Sequence, residues 1–351
     1  MRLTVLSVSY SLAKVSESTA GGAEQVLLTL DRALVEHGQR SLVLAPLGSR
    51  CCGLLAPVHT PAGGLDDRAK RQARQSFKYS LERVLDRYPV DIVHMHGVDF
   101  HQYLPESNMP VVVSLHLPLA WYPQEALRQR SNLALVAVSK TQALSSPPGA
   151  CIEHTIANGV DLKRFPGRAR KGDYALFLGR ICPEKGVHLA LEAAERANVR
   201  VILAGTVFPY PEHQKYFCDV IRPRLGEKVH LIGAVGGARK AQLLGGAKCL
   251  LVPSLAEETS CLAAMEAFAA RTPVIAWPSG ALPEIVSHGR TGFLVSSVEE
   301  MAEGIAGVHA ISGDRCRSEA ERRFSSKAMI SAYMSLYRRL VAARAPSLRA
   351  A

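Results

Sequence analysis

Short runs of β-branched and apolar residues alternate with longer helical patterns along the whole chain, and this rhythm predicts parallel sheets with helices packed on both faces. Strands are expected near 3–8, 41–45, 91–94, 111–115 and 134–138, and again near 174–178, 201–204, 229–232, 248–252, 274–276 and 292–295. A chain of 351 residues exceeds the size at which a single core stops growing. The expectation is an α/β protein of two doubly wound, Rossmann-like domains, with ligands outside the carboxyl ends of the strands and the site between the two domains.

One stretch, Val252 to Ala276, carries most of the chemistry. From Cys261 to Ala270 every residue is apolar except Glu266, so a helix here has no polar face and is predicted to be buried on all sides. A lone carboxylate in that setting needs a partner, because removing an unpaired one from water costs several kcal/mol. Glu258 stands eight residues earlier. On one helix the two carboxylates would point about 80° apart and lie about 12 Å apart along the axis. They can serve one ligand if Glu258 lies on the loop before the helix, with Thr259 or Ser260 as N-cap and the amides of Cys261 and Leu262 free. Such a helix start binds an anion without a metal. The alternative for Glu266 is a buried ion pair with a neighbouring arginine.

The spacing of Glu258 and Glu266, followed by Arg271–Thr272–Pro273–Val274–Ile275, resembles the Glu-x7-Glu signature of the retaining glycosyltransferases of family 4, which have the GT-B fold. The resemblance implies that Glu266 holds the nucleotide ribose, that Glu258 addresses the donor sugar, and that Ser260, Cys261 and Leu262 supply amides to the diphosphate.

Other motifs fit the same family. Ala20–Gly21–Gly22–Ala23–Glu24 precedes a helical pattern, and paired glycines there are either a flexible turn or a close approach of backbone to ligand. The resemblance makes Gly21 and Gly22 a loop against the donor diphosphate. His94, His96 and His116 stand at strand ends. In the family His116 would touch the donor sugar and His96 would line the acceptor side. Metal binding by His94 and His96 lacks a third ligand at suitable spacing. Phe177 to Gly186 is a strand end, a proline-containing turn and a helix start carrying Arg180 and Lys185, the two cations that the family sets against the diphosphate. Gly205 and Val235 end further strands where the family binds the nucleotide base. Gly280–Ala281–Leu282–Pro283–Glu284 and Gly289 to Leu294 complete the pattern. By its resemblance the chain divides into an acceptor-binding domain 1–156, a linker 157–172, a nucleotide-sugar domain 173–325, and a crossover helix with a tail, 326–351. Ser260–Cys261 replaces the glycine common among relatives, and Trp277–Pro278–Ser279 is also a departure. The first bears on which sugar is used, the second on the shape of the acceptor or donor pocket.

Composition narrows the function further. Lys and Arg number 42 against 31 Asp and Glu, a net charge of +11 that suits a phosphorylated ligand, an anionic membrane surface or nucleic acid without choosing among them, and the resemblance favours the first two. The 67–87 segment is a predicted helix with Ala69, Ala73, Phe77, Leu81 and Leu85 inward and Arg68, Lys70, Arg71, Arg74, Lys78, Arg83 and Arg87 outward, a candidate for peripheral contact with anionic lipid at the inner membrane face. Aromatics are only 6% and no nucleic-acid module is recognisable, so nucleic acid is not an expected partner. Eight cysteines lack Cys-x2-Cys spacing, which excludes a zinc framework of that type and leaves reduced thiols as the reading. The N-terminal residues read as a first strand rather than a signal peptide, no run of 18 apolar residues occurs, and a cytoplasmic location is expected. There is no Asp-x-Asp, no Gly-x-Gly-x-x-Gly and no phosphate-binding Gly-x4-Gly-Lys. The expected reaction is a metal-independent, retaining sugar transfer from a nucleotide diphosphate sugar to a hydroxyl acceptor, with a lipid-linked glycan as a candidate acceptor and no cofactor. A non-hydrolysing nucleotide-sugar epimerase and a non-catalytic nucleotide-sugar sensor are the rivals.

Overall fold

A computed structural model describes residues 2–17, 19, 21–61, 66–165 and 170–344. It divides into two compact units, Met1–Asn158 with Lys327–Ala351, and Gly159–Ser326. Residues 166–169 of the expected linker and the tail from 345 onwards lie outside the described residues.

The first unit is a seven-stranded parallel sheet of β1 (Thr4–Val8), β2 (Arg40–Pro46), β3 (Leu54–Val58), β4 (Ile92–Met95), β5 (Val111–Leu115), β6 (Leu133–Ala137) and β7 (His154–Thr155), in the order β3-β2-β1-β4-β5-β6-β7. Alternation along β2 shows how it is covered on both faces. Leu42 and Leu44 pack in a cluster with Phe77 and Leu81 of the helix Asp67–Arg87, while Val43 and Ala45 pack with Leu27 of the helix Gly22–Glu36. The 67–87 helix has the expected ends, but Val84 rather than Leu85 is the buried residue of its last turn. Strands β3 and β7 were not expected. The first is an edge strand interrupted by Pro57 and the second has two residues, so neither leaves a hydrophobic period in the sequence.

The second unit is a six-stranded parallel sheet of β8 (Tyr174–Leu178), β9 (Arg200–Ala204), β10 (Val229–Leu231), β11 (Cys249–Val252), β12 (Val274–Ala276) and β13 (Gly292–Leu294), in the order β10-β9-β8-β11-β12-β13. Along β8, Ala175 and Phe177 join one core cluster and Leu176 the other, so helices cover both faces. Chain order reverses between β8 and β11, which are paired neighbours. The loops leaving these two strands therefore flank the switch point at which ligands of such sheets bind. The final helix, Ser326–Arg344, belongs almost wholly to the first unit, where Tyr333 and Tyr337 are fully buried.

Candidate active site

In the second unit the loop leaving β8 runs through Arg180 to a 3-10 turn, Pro183–Lys185, and into the helix Val187–Arg196. Gly186 joins turn to helix at φ +63°, and a Cβ there would lie 2.0 Å from the carbonyl oxygen of Pro253. Glycine is therefore needed on two counts, left-handed backbone and close approach. The loop is tied to the one leaving β11, because the amides of Leu255 and Ala256 both donate to the carbonyl of Glu184, at 2.8 and 3.1 Å. Across this seam the ammonium of Lys185 is bonded to the carboxylate of Glu258. Burial works against the charge on Lys185, yet Glu258, as counter-charge and as acceptor, holds its ammonium above the ordinary lysine value. Arg180 stands over the ring of Phe208, 5.7 Å from its centroid.

Glu258 is held from the other side by the 280–284 turn. The amide of Ala281 donates to its carbonyl at 2.6 Å, and a Cβ on Gly280 (φ +54°) would lie 2.3 Å from that same oxygen. The hydroxyl of Ser279, in the unusual Trp277–Pro278–Ser279 segment, donates to the carbonyl of Ala256 at 2.9 Å. Gly205 also has a packing reason, since a Cβ there would meet the Gly179 carbonyl at 1.7 Å. Val235 is half-buried against the core at the end of the loop after β10.

The apolar helix Leu262–Ala269 is buried from Ala264 through Ala269, as its composition requires. Its start corrects one expectation. The N-cap is Cys261 rather than Thr259 or Ser260, and no side chain caps it. Cys261 adopts φ +39°, a left-handed backbone that glycine takes without penalty. Ser260 is buried just before it, and the amides with no intrahelical partner begin at Leu262. Burial, and then the charge of Glu258, pushes the Cys261 thiol up to about 12, so it stays protonated.

Glu266 has its partner. The ammonium of Lys240, on the helix Gly237–Gly246, is bonded to Oε1 of Glu266, and the two side chains are 9% and 10% exposed. The buried pair of the alternative reading is therefore present, with lysine in place of arginine. Sequence reading passed over Lys240 although it shares a helix face with buried Leu243 and Leu244, three and four residues on.

The first unit carries the remaining candidates. Gly21 is the N-cap of the helix Gly22–Glu36, and a Cβ on it would collide with the Glu24 carboxylate at 1.8 Å. That carboxylate folds back over the helix start, where burial raises its pKa against the opposing effect of its own backbone hydrogen bond. Gly22 opens the helix.

His116, after β5, is half-buried and its Nε2 lies 3.1 Å from Nδ1 of His96. His96 is only 3% exposed and lies beside His116. The ring of His94 packs on His96 at 4.1 Å between centroids. Its Nδ1 lies 2.6 Å from the Tyr337 hydroxyl and its Nε2 lies 2.8 Å from the Ser114 hydroxyl, which in turn lies 2.5 Å from that of Tyr333. Burial pushes His116 down to about 4, and burial with the neighbouring His116 pushes His94 down to about 3, so all three imidazoles, His96 included, are neutral near pH 7. The part of the final helix in this network was not foreseen.

The family comparisons agree with this architecture. The model for "Glycosyl transferases group 1" matches residues 161–328 and that for "Glycosyltransferase Family 4" matches residues 20–164. The lipopolysaccharide 1,2-N-acetylglucosaminetransferase of Salmonella typhimurium is 29% identical over 58% of this chain, which spans about half (52%) of that relative. The phosphatidyl-myo-inositol mannosyltransferase of Mycobacterium leprae is 26% identical over 90% of this chain and 92% of its own length. Among solved structures, AviGT4, a glycosyltransferase involved in avilamycin A biosynthesis, superposes with TM-score 0.70 at 25% identity, covering 97% of this chain and 98% of its own. The sucrose-phosphate synthase of Thermosynechococcus elongatus has the same fold, with TM-score 0.80 at 19% identity and coverage of 97% and 100%. Two adjoining family models, full-length relatives and a shared two-sheet fold place the chain in glycosyltransferase family 4, the group 1 glycosyl transferases of GT-B architecture.

Proposed function

We propose that this protein transfers a sugar from a nucleotide diphosphate sugar to a hydroxyl acceptor, with retention of configuration and without a metal ion in the transfer step. The observation that carries the reading is the pairing of Lys185 with Glu258 at the switch point of the second sheet, with Arg180 on the same loop and near enough for its charge to act on Lys185. As the glycosidic bond breaks, negative charge gathers on the leaving diphosphate, and cations already held in place lower that barrier most. Arg180, Lys185 and the amides from Leu262 onwards are the groups assigned to it, and the absence of Asp-x-Asp from the sequence supports a charge balance supplied by side chains. Glu266, fixed by Lys240, is assigned to the ribose hydroxyls, and neutral His116 to a hydroxyl of the donor sugar.

The acceptor is assigned to the glycolipid or surface-glycan class, since both relatives named above carry a lipid-borne glycan or lipid acceptor in their names. On the helix Asp67–Arg87, Lys70, Arg74 and Lys78 are bonded to Asp67, Asp99 and Glu106, whereas Arg68, Arg71, Arg83 and Arg87 are exposed. These four are assigned to contact with anionic lipid. Among the described residues no helix is long and apolar enough to cross a membrane.

The test is a thermal-shift screen against UDP-, GDP- and ADP-sugars, since a ligand of the folded state raises its apparent stability by mass action. Product analysis with the stabilising donor follows. Glycosylated acceptor with the anomeric configuration of the donor supports the proposal. An epimerised nucleotide sugar, or binding without any turnover, would replace it with the epimerase or the sensor.

A further inference from the structure

The loop that carries Arg180 and Lys185 holds a second cluster that the transfer reading does not use. Cys182 and Glu184 flank Pro183 at the start of the 3-10 turn, and His213 comes from the neighbouring helix Pro211–Tyr216. One sulfur, one carboxylate oxygen and one imidazole nitrogen lie within 4.8 Å of one another, and His213 Nε2 is 3.6 Å from Glu184 Oε1. Cys182 is fully buried and His213 is 6% exposed, while the Glu184 side chain is 42% exposed although its Oε2 is buried with no hydrogen-bond partner. The state of His213 is the second observation. Its Nδ1 is buried with no hydrogen-bond partner, and its Nε2 reaches Glu184 only at ion-pair range. A buried imidazole left this way is costly, and native structures ordinarily provide a partner.

We propose that Cys182, Glu184 and His213 form a binding site for a thiophilic divalent cation of the zinc class, separate from the diphosphate cations and not part of sugar transfer. The donor set of one thiolate, one imidazole and one carboxylate is that of a zinc site with its fourth position open. Donors around a tetrahedral zinc stand about 3.3–3.6 Å apart, so closing the cluster requires a contraction of roughly one ångström. On binding, the Cys182 thiol loses its proton to solvent and the sulfur–metal bond takes its place. Thiolate and carboxylate together balance the ion's two charges, and the nearby Arg180 favours the anionic form of both residues. The bound ion would pin the helix Pro211–Tyr216 to the turn between Arg180 and Lys185, so occupancy would stiffen that loop.

The test uses the full chain stripped with a chelator, titrated with Zn²⁺ in competition with a chromophoric chelator, and separately with Co²⁺ by absorption. The expected result is uptake of one equivalent, a rise in melting temperature, and a thiolate-to-cobalt charge-transfer band with tetrahedral d–d intensity. C182S and H213Q should each weaken binding at least tenfold, while C51S/C52S, which alters two thiols of the first unit, should leave it unchanged. Circular dichroism of the metal-free variants checks their fold, and the wild-type cobalt spectrum requires no variant. Failure of the stripped wild type to take up zinc at micromolar concentration, a cobalt spectrum without the thiolate band, or binding lost only in C51S/C52S would each overturn the proposal. Activity is not the readout, so failure here leaves the transferase proposal standing.

Discussion

The ammonium of Lys185 is bonded to the carboxylate of Glu258, although the two residues are 73 positions apart in the chain. Adjacent strands β8 and β11 deliver them, and Gly186 and Gly280 permit the approach of their backbones. By the proposed function the pair acts as one unit. Lysine has three donors, so its ammonium can keep Glu258 fixed while also facing a diphosphate, and a carboxylate so held is aligned before any donor arrives. Charge placed this way needs little reorganisation when the leaving group departs.

Removing either cation from the proposed diphosphate site should therefore reduce turnover more than donor affinity. Arg180→Ala and Lys185→Ala are each expected to lower kcat about 10²–10³-fold. The double variant Lys185→Met/Glu258→Gln should be less impaired than the sum of its parts, with a coupling of about 1–3 kcal/mol in the cycle. Near-normal kcat in both single variants, tried with several donors, would remove the assignment.

Gly280→Ala tests the support of Glu258 without touching its charge. A side chain there must enter a left-handed backbone, at about 1–2 kcal/mol, and must push back the Glu258 carbonyl that it would meet at 2.3 Å. Activity should fall by at least an order of magnitude while the melting temperature falls only modestly. Gly289→Ala, also at positive φ but with no atom within 4 Å of its Cβ, is the matched control and should lose stability alone.

The histidine cluster of the first unit predicts how stability depends on pH. His94 and His116 hold pKa values of about 3 and about 4 when folded, against an ordinary value of 6.5 when unfolded. A histidine held neutral in the fold favours unfolding wherever the unfolded chain binds the proton and the folded one does not. Stability is therefore fully present above pH 6.5 and declines as pH falls toward 4. Each such group contributes a slope of about 1.4 kcal/mol per pH unit in that window. Denaturant melts at pH 7, 6 and 5 should show this decline, and His116→Asn should reduce the slope by about one proton. A pH-independent midpoint across that range would contradict the buried neutral state.

Much of the fold was legible because buried parallel strands leave unbroken apolar runs, as at Leu133–Ala137 and Cys249–Val252. Pairings across the chain were not legible. No local signal joins Lys240 to Glu266 or Tyr337 to His94, since each pair is brought together by sheet order and helix packing. The N-cap was misplaced because residue type suggested Thr259 or Ser260, whereas the turn in front of the helix requires a left-handed residue at Cys261, a backbone demand that cysteine does not advertise. The basic helix was read to within a residue because its five inward positions repeat at helical spacing.

The Lys240–Glu266 pair gives the last prediction, since it serves the fold and, by proposal, the ribose. Glu266→Gln leaves the Lys240 ammonium buried, 7% exposed, without its counter-charge, and should cost about 3–5 kcal/mol of stability. Lys240→Met strands the carboxylate and should cost a similar amount. Replacing both together, Lys240→Met/Glu266→Leu, should recover most of that loss, because a buried ion pair exchanged for apolar groups of similar size is often neutral. Donor affinity separates the two roles of Glu266. The double variant, restored in stability but lacking the carboxylate, should bind the nucleotide sugar about 1–3 kcal/mol more weakly than the wild type. Equal donor affinity in the stable double variant and the wild type would reduce Glu266 to a structural counter-ion for Lys240. The diphosphate would then be left to Arg180, Lys185 and the start of the helix Leu262–Ala269.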